Sequence, residues 1–87
     1  MIRNDHIIPQ EFMKYDLPED VIERLIRYYE IKESYINKKS ERIDLIMTYE
    51  PAYEDIKLLM HRGIIPEDKF EFFIDLLQEG LNANEWI

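Results

Sequence analysis

The sequence predicts an all-α fold, a single small irregular bundle of four to five helices over residues 1–87. Three observations carry that prediction. Apolar residues recur at helical spacing through most of the chain. No stretch alternates apolar and polar residues over a useful length, so strands are not expected. The helix-punctuating residues sit at what read as helix ends: Pro9, Pro18, Pro51 and Pro66 each have an acidic residue or Gln within the next four positions, and Gly63 and Gly80 close apolar runs just ahead of Ile64 and Leu81. Proline suits a first helical turn because the amide it lacks would be unpaired there, and nearby carboxylates meet the positive end of the helix dipole. A glycine followed by an apolar residue marks a left-handed cap.

Residues 1–8 lead in through Ile2, Ile7 and Ile8. A short helix is expected from Pro9 to Tyr15, with Phe12, Met13 and Tyr15 as its apolar contacts. Asp16 and Glu19 then form a D-x-x-E capping box around Leu17-Pro18. Beyond it, Ile22, Tyr29, Ile36 and Ile43 recur every seven residues, joined by Leu25 and Ile46 and widened by Val21, Tyr28, Tyr35 and Ile26. Asp20 with Arg24 and Glu23 with Arg27 are i,i+4 pairs in the favourable order on the opposite face. The seam fails where Lys32 and Lys39 stand at positions a coiled coil fills with leucine. A break near Asn37-Lys38-Lys39-Ser40 follows, with Ser40 able to cap a restart, giving helices over 17–37 and 41–49.

A further helix is expected from Pro51 to Arg62, burying Tyr53, Ile56, Leu59 and Met60. The last strong helix runs from Pro66 to Glu79 with Phe70, Phe73, Ile74 and Leu77 inward. The tail 81–87 has the spacing for one weak turn. Leu17-Pro-Glu-Asp and Ile65-Pro-Glu-Asp read as two uses of the same helix-start chemistry rather than as a duplication. Residues 56–77 are also similar to the short helical hairpins called SHOCT domains, through Leu59, the turn Gly63-Ile64-Ile65, Glu67-Asp68 and Phe70. The likeness covers a quarter of the chain, without the lysine-rich second helix of that family.

Composition excludes more than it selects. The chain has no cysteine, so thiolate chemistry, disulfides and cysteine-based zinc sites are absent. No apolar run approaches the ~20 residues that span a bilayer, and the N-terminus lacks a signal-peptide layout, so a cytoplasmic protein is expected. Many Ile, Lys, Glu, Tyr and Asn with few Ala and Gly point to a low-GC genome, such as a bacterium or its phage. The net charge is −8, and residues 51–87 carry −5 of it, from three basic and eight acidic groups. That excess opposes contact with DNA or anionic lipid. It also argues against reading residues 56–79 as a helix-turn-helix, whose second helix would bring five carboxylates and one lysine to a major groove.

Catalytic groups are few. Ser34, Ser40 and Thr48 are the aliphatic hydroxyls, His6 and His61 the imidazoles, and none lies in a nucleophile elbow or glycine turn. His61 falls in a last helical turn, where an imidazole suits the dipole. No metal-ligand spacing and no phosphate-cradling loop is present, so no metal or cofactor is expected.

The expected function is therefore a non-enzymatic protein-binding module, a small cytoplasmic regulator or inhibitor, phage- or mobile-element-encoded, that occludes a partner surface. The alternatives are an acidic nucleic-acid mimic that blocks a DNA- or RNA-binding channel, and an antitoxin or immunity protein. The acidic strip of the last helix, with Glu67, Glu71, Asp75 and Glu79, would steer toward a basic partner. Phe72 and Leu76 beside it, and Tyr28 and Tyr35 with Tyr49 on the flank of the long helix, would supply apolar and aromatic anchors. A homodimer is expected, with no direct binding to nucleic acid or membrane.

Overall fold

The computed structural model of the chain describes residues 7–81. Among them are three α-helices, α1 (Glu19–Ile36), α2 (Arg42–His61) and α3 (Phe70–Gln78), with short 3-10 turns at Phe12–Lys14 and Glu67–Lys69. The fold is all-helical, as expected, but the count of four to five helices was too high. No helix is long and apolar enough to cross a membrane among the described residues. The weak turn expected over the tail and the expected contact of Ile2 lie outside the described residues.

The overcount has one main cause. The helices expected over 41–49 and 51–62 are a single helix, and Pro51 lies inside it. A proline there removes the bond to the carbonyl four residues back and commonly kinks or breaks a helix. Here Pro51 and Met47, whose carbonyl loses that bond, are both exposed. The buried side of the helix runs on beneath through Leu45, Ala52, Ile56 and Leu59. Packing of that side outweighs the local break.

The other prolines behave as start signals. Pro18 and Pro66 precede α1 and the second 3-10 turn in nearly the same extended conformation, with ψ of 149° and 141°. Each follows a buried aliphatic residue, Leu17 or Ile65, and each accepts the first helical bond, from Ile22 and Lys69. Glu19 and Asp20, and Glu67 and Asp68, then occupy the first turns. The Asp16–Glu19 capping box does not form, because Pro18 is the cap residue. The box appears one helix later, at Glu41, whose backbone amide donates to the Asp44 carboxylate at 3.3 Å, one residue past the Ser40 cap expected.

The break after α1 lies where expected. Lys38 takes a left-handed φ of 64°, and the amides of Lys38 and Lys39 bond the Tyr35 and Ser34 carbonyls at 3.0 and 2.8 Å. The end of α2 repeats that pattern with Gly63 at φ 77°, whose amide bonds Met60 while that of Ile64 bonds Leu59. Both are Schellman caps, and the first is built with a lysine in the place that glycine occupies without strain.

One core joins all elements: Ile8 and Phe12, then Leu17, Val21, Ile22, Leu25, Ile26, Tyr28 and Tyr29 of the first half, Leu45, Ala52, Ile56 and Leu59 of α2, Ile65, and Phe73 and Leu77 of α3. The heptad stripe keeps only its first half. Ile36 and Ile43 are 50% and 55% exposed, since the turn between them redirects the chain before either can reach the seam. Across α1 and α2 the Arg24 guanidinium donates to both carboxylate oxygens of the buried Asp55, at 2.5 and 2.9 Å, and to Asp20 at 3.0 Å. The expected Asp20–Arg24 pair is thus the outer part of an interhelical clasp.

Leu25 and Phe73 are fully or almost fully buried, so Leu25→Ala or Phe73→Ala is expected to cost ~2–5 kcal/mol. A denaturant midpoint near wild type for either would contradict that placement. Lys38→Gly should act in the opposite direction. Relief of the left-handed strain exceeds the extra freedom of the unfolded glycine, and a gain of about 0.5–1 kcal/mol is expected in urea titration.

Candidate partner-binding face

The α3 helix has nine residues and gains its fixed orientation from what holds its inner side and its end. Phe73 stacks against Phe12, with ring centroids 4.6 Å apart, and meets the edge of Tyr15 at 5.6 Å. The last carbonyls of a helix lack internal partners, and three side chains of α1 supply them here. The Tyr28 hydroxyl donates to the Leu77 carbonyl. The Tyr29 hydroxyl donates to Leu76 at 3.1 Å, and the Lys32 ammonium reaches Leu77 at 3.2 Å and Leu76 at 3.5 Å. From α2, the Tyr49 hydroxyl accepts from the Gln78 amide at 3.0 Å.

Lys32 is 7% exposed. Burial holds its amine below the ordinary value, and the nearby Glu79 acts the other way. Its charge meets the negative end of the α3 dipole and lies 5.1 Å from the centre of the Tyr29 ring. Burial likewise pushes the Tyr28 and Tyr29 hydroxyls well above the usual phenol range.

With its inner side fixed in this way, α3 turns Glu71 and Asp75 outward one helical turn apart, and Glu79, which ends the helix near Lys32, is exposed just beyond them. Phe72 is 42% exposed. The Lys69 ammonium stands 5.7 Å from the centre of its ring, and the Phe73 ring supports it at 5.4 Å. Glu67 is exposed in the preceding turn, and Leu76 is half-buried against the core. Three of the expected side chains, Glu71, Phe72 and Asp75, are thus exposed on α3, with Glu67 exposed in the turn before it, Glu79 exposed just after it and Leu76 half-buried.

The tyrosine flank is different. Tyr28 is fully buried, so its expected role as a surface anchor is corrected to a core role. Tyr28 packs on Tyr49, Tyr49 on Tyr53 and Tyr53 on Phe70, with centroids 5.8 to 6.1 Å apart, a chain of rings that joins all three helices. Tyr35 is half-buried at the far end of α1, bordering an open depression with Ile36, Lys38, Arg42, Gly80 and Leu81. It is not part of the α3 face.

Sequence reasoning missed the role of Lys32 and of Asp55. The first was visible as a charge at a seam position. The second falls between Ala52, Ile56 and Leu59 on the buried sector of α2, a polar residue inside an apolar stripe. His61 closes α2, as expected, and the Thr48 hydroxyl donates to the Asp44 and Leu45 carbonyls of its own helix. Among the described residues no group of three or more potential ligands could hold a metal ion. The chain matches no family model, no curated protein and no solved structure. The likeness of residues 56–77 to SHOCT hairpins is therefore one of local pattern, two helical segments joined by the Gly63 turn.

The titrations of the clamp have opposite signs. Tyr28 and Tyr29 contribute fully below their ordinary value of 10.0. Above it the unfolded chain ionises and the folded one does not, so their contribution is lost as pH rises toward the folded values. Lys32 adds stability as pH rises toward 10.5, because there the unfolded chain binds the extra proton. A stability maximum on the alkaline side is expected, followed by a steep fall. The last part of the tyrosinate absorbance should then rise together with the loss of helical ellipticity. Complete ionisation of the tyrosines with the helices intact would contradict the clamp.

Proposed function

We propose that the chain is a non-enzymatic protein-binding module, a small cytoplasmic regulator or inhibitor whose α3 face occludes a basic surface of its partner. The observation that carries this reading is the exposed Glu71, Phe72 and Asp75 on a helix whose inner side and end are tied down, with Glu79 exposed at its end. A face fixed in advance loses little entropy when it docks, so more of the contact energy appears as affinity. Carboxylates on such a face speed encounter with a positive surface, and an aromatic anchor slows departure. The one-turn spacing of Glu71 and Asp75 supports a second reading, an acidic mimic seated in a nucleic-acid channel.

A pull-down with the immobilised chain from its source cells and their phages, read by mass spectrometry, would supply the partner. Binding kinetics against that partner then test the face. Glu71→Lys with Asp75→Lys and Glu79→Lys should slow association and flatten its dependence on salt. Exposed charges are screened over ~8 Å at physiological ionic strength, so the effect should be largest at low salt. Phe72→Ala should instead speed dissociation. A mimic would show a steep loss of affinity with salt, whereas an inhibitor anchored by Phe72 would tolerate it. An unchanged on-rate for the triple variant at low salt would remove α3 from the interface.

A further inference from the structure

The outer side of α2 carries a second surface, separate from the α3 face and independent of its reading. Ile43, Met47 and Leu58 are 55%, 66% and 46% exposed, and the exposed Pro51 lies between the last two. At about 100° per residue all four fall on one side of the helix, opposite Leu45, Ala52, Ile56 and Leu59. Met47, Glu50, Pro51 and Glu54 border a shallow depression there, along with Tyr49 and Tyr53. Charged residues flank this apolar ridge in a fixed order. Glu50 and Lys57 lie along one flank, Asp44 and Arg62 along the other, and all four are exposed. On each flank the acid comes first and the base follows.

We propose that this ridge binds a second copy of the chain, with the two α2 helices antiparallel about a two-fold axis at the level of Tyr53. The spacing of the charges selects that occupant. Asp44 and Arg62 each lie nine residues from Tyr53, and Glu50 and Lys57 lie three and four residues from it. A two-fold axis perpendicular to the plane of two antiparallel helices turns each flank onto itself. Glu50 of one copy then meets Lys57 of the other, Asp44 meets Arg62, and each pairing occurs twice. Met47 and Leu58 lie six and five residues from the same level, so each packs on the other across the axis. A parallel two-fold arrangement would turn the Glu50–Lys57 flank onto the Asp44–Arg62 flank, with acid nearest acid and base nearest base. Pro51, which costs α2 an internal bond, adds apolar area near the centre of this contact. Glu54 sits close to the axis and opposes its own copy, which keeps the dimer reversible.

Sedimentation equilibrium of the full chain, from micromolar to millimolar concentration, tests the proposal. A monomer–dimer equilibrium is expected. Lys57→Glu should weaken it about tenfold, because two exposed attractions become repulsions. Adding Glu50→Lys to that variant should restore the wild-type constant, since the swapped charges meet again in the same geometry. Met47→Asp should abolish the dimer, with circular dichroism showing that this exposed substitution leaves the helices intact. A monomer at every concentration would overturn the proposal. So would a dimer indifferent to Lys57→Glu, or a double variant as weak as the single one.

Discussion

The arrangement of this molecule depends on how the end of α3 is bound. A nine-residue helix has little stability of its own, because nucleation is unfavourable and few bonds repay it. Its last carbonyls face the interior, where an unpaired acceptor is expensive. Tyr28, Tyr29 and Lys32, one helical turn of α1, bring two hydroxyls and an ammonium to the Leu76 and Leu77 carbonyls. A buried lysine would ordinarily be a liability. Here two oxygens, a helix end of the right sign and the face of Tyr29 offset part of its desolvation, and burial still holds the amine below its ordinary value. A leucine at position 32 would satisfy the seam of α1 but supply no donor to those carbonyls.

That clamp also explains the part played by α2. The clasp of Arg24 on Asp55 sets α1 against the C-terminal half of α2. The rings of Tyr28, Tyr49, Tyr53 and Phe70 then carry the contact from α1 across α2 to the start of α3. Hydrogen bonds donated to the buried Asp55 and the outer Asp20 keep the Arg24 guanidinium firmly charged, and Arg24 in turn holds the Asp20 carboxyl below its ordinary value. Polar groups thus fix the relative positions of helices whose apolar sides would accept several alignments. The apolar core supplies most of the burial, and the clasp and the clamp choose among its possible registers.

Local chemistry was legible in the sequence because it needs only neighbours. Gly63 and Gly80 are left-handed, Pro18 and Pro66 open helical segments, and the break at Asn37–Ser40 is real, since each follows from backbone sterics within a few residues. Pro51 resembled those start signals. Whether a proline ends a helix depends on the packing of the opposite side, which no local pattern records. Tyr28 resembled surface material for the same reason. Its hydroxyl could read as polar exposure until the Leu77 carbonyl, 49 residues away in sequence, was known to receive it. The acidic row of α3 was legible because the stripe of Phe70, Phe73, Ile74 and Leu77 fixes which side faces in. The α2 ridge was not, as Ile43 read as part of the heptad stripe and Met47 belonged to no assigned stripe until α2 proved to be one helix.

An acidic row on a loose helix would be only a source of average charge. The potential it presents would be smeared over every orientation the helix visits, and Phe72 would pay its own ordering on docking. The clamp removes that freedom at the C-terminal end, and the stacking of Phe73 on Phe12 and Tyr15 removes it along the inner side. What remains at the surface is a fixed spacing of carboxylates with one aromatic ring beside them. In the proposed role, the residues that would make α3 selective are therefore largely on α1. Tyr28, Tyr29 and Lys32 touch nothing outside the fold, yet they determine which side of α3 a partner would meet.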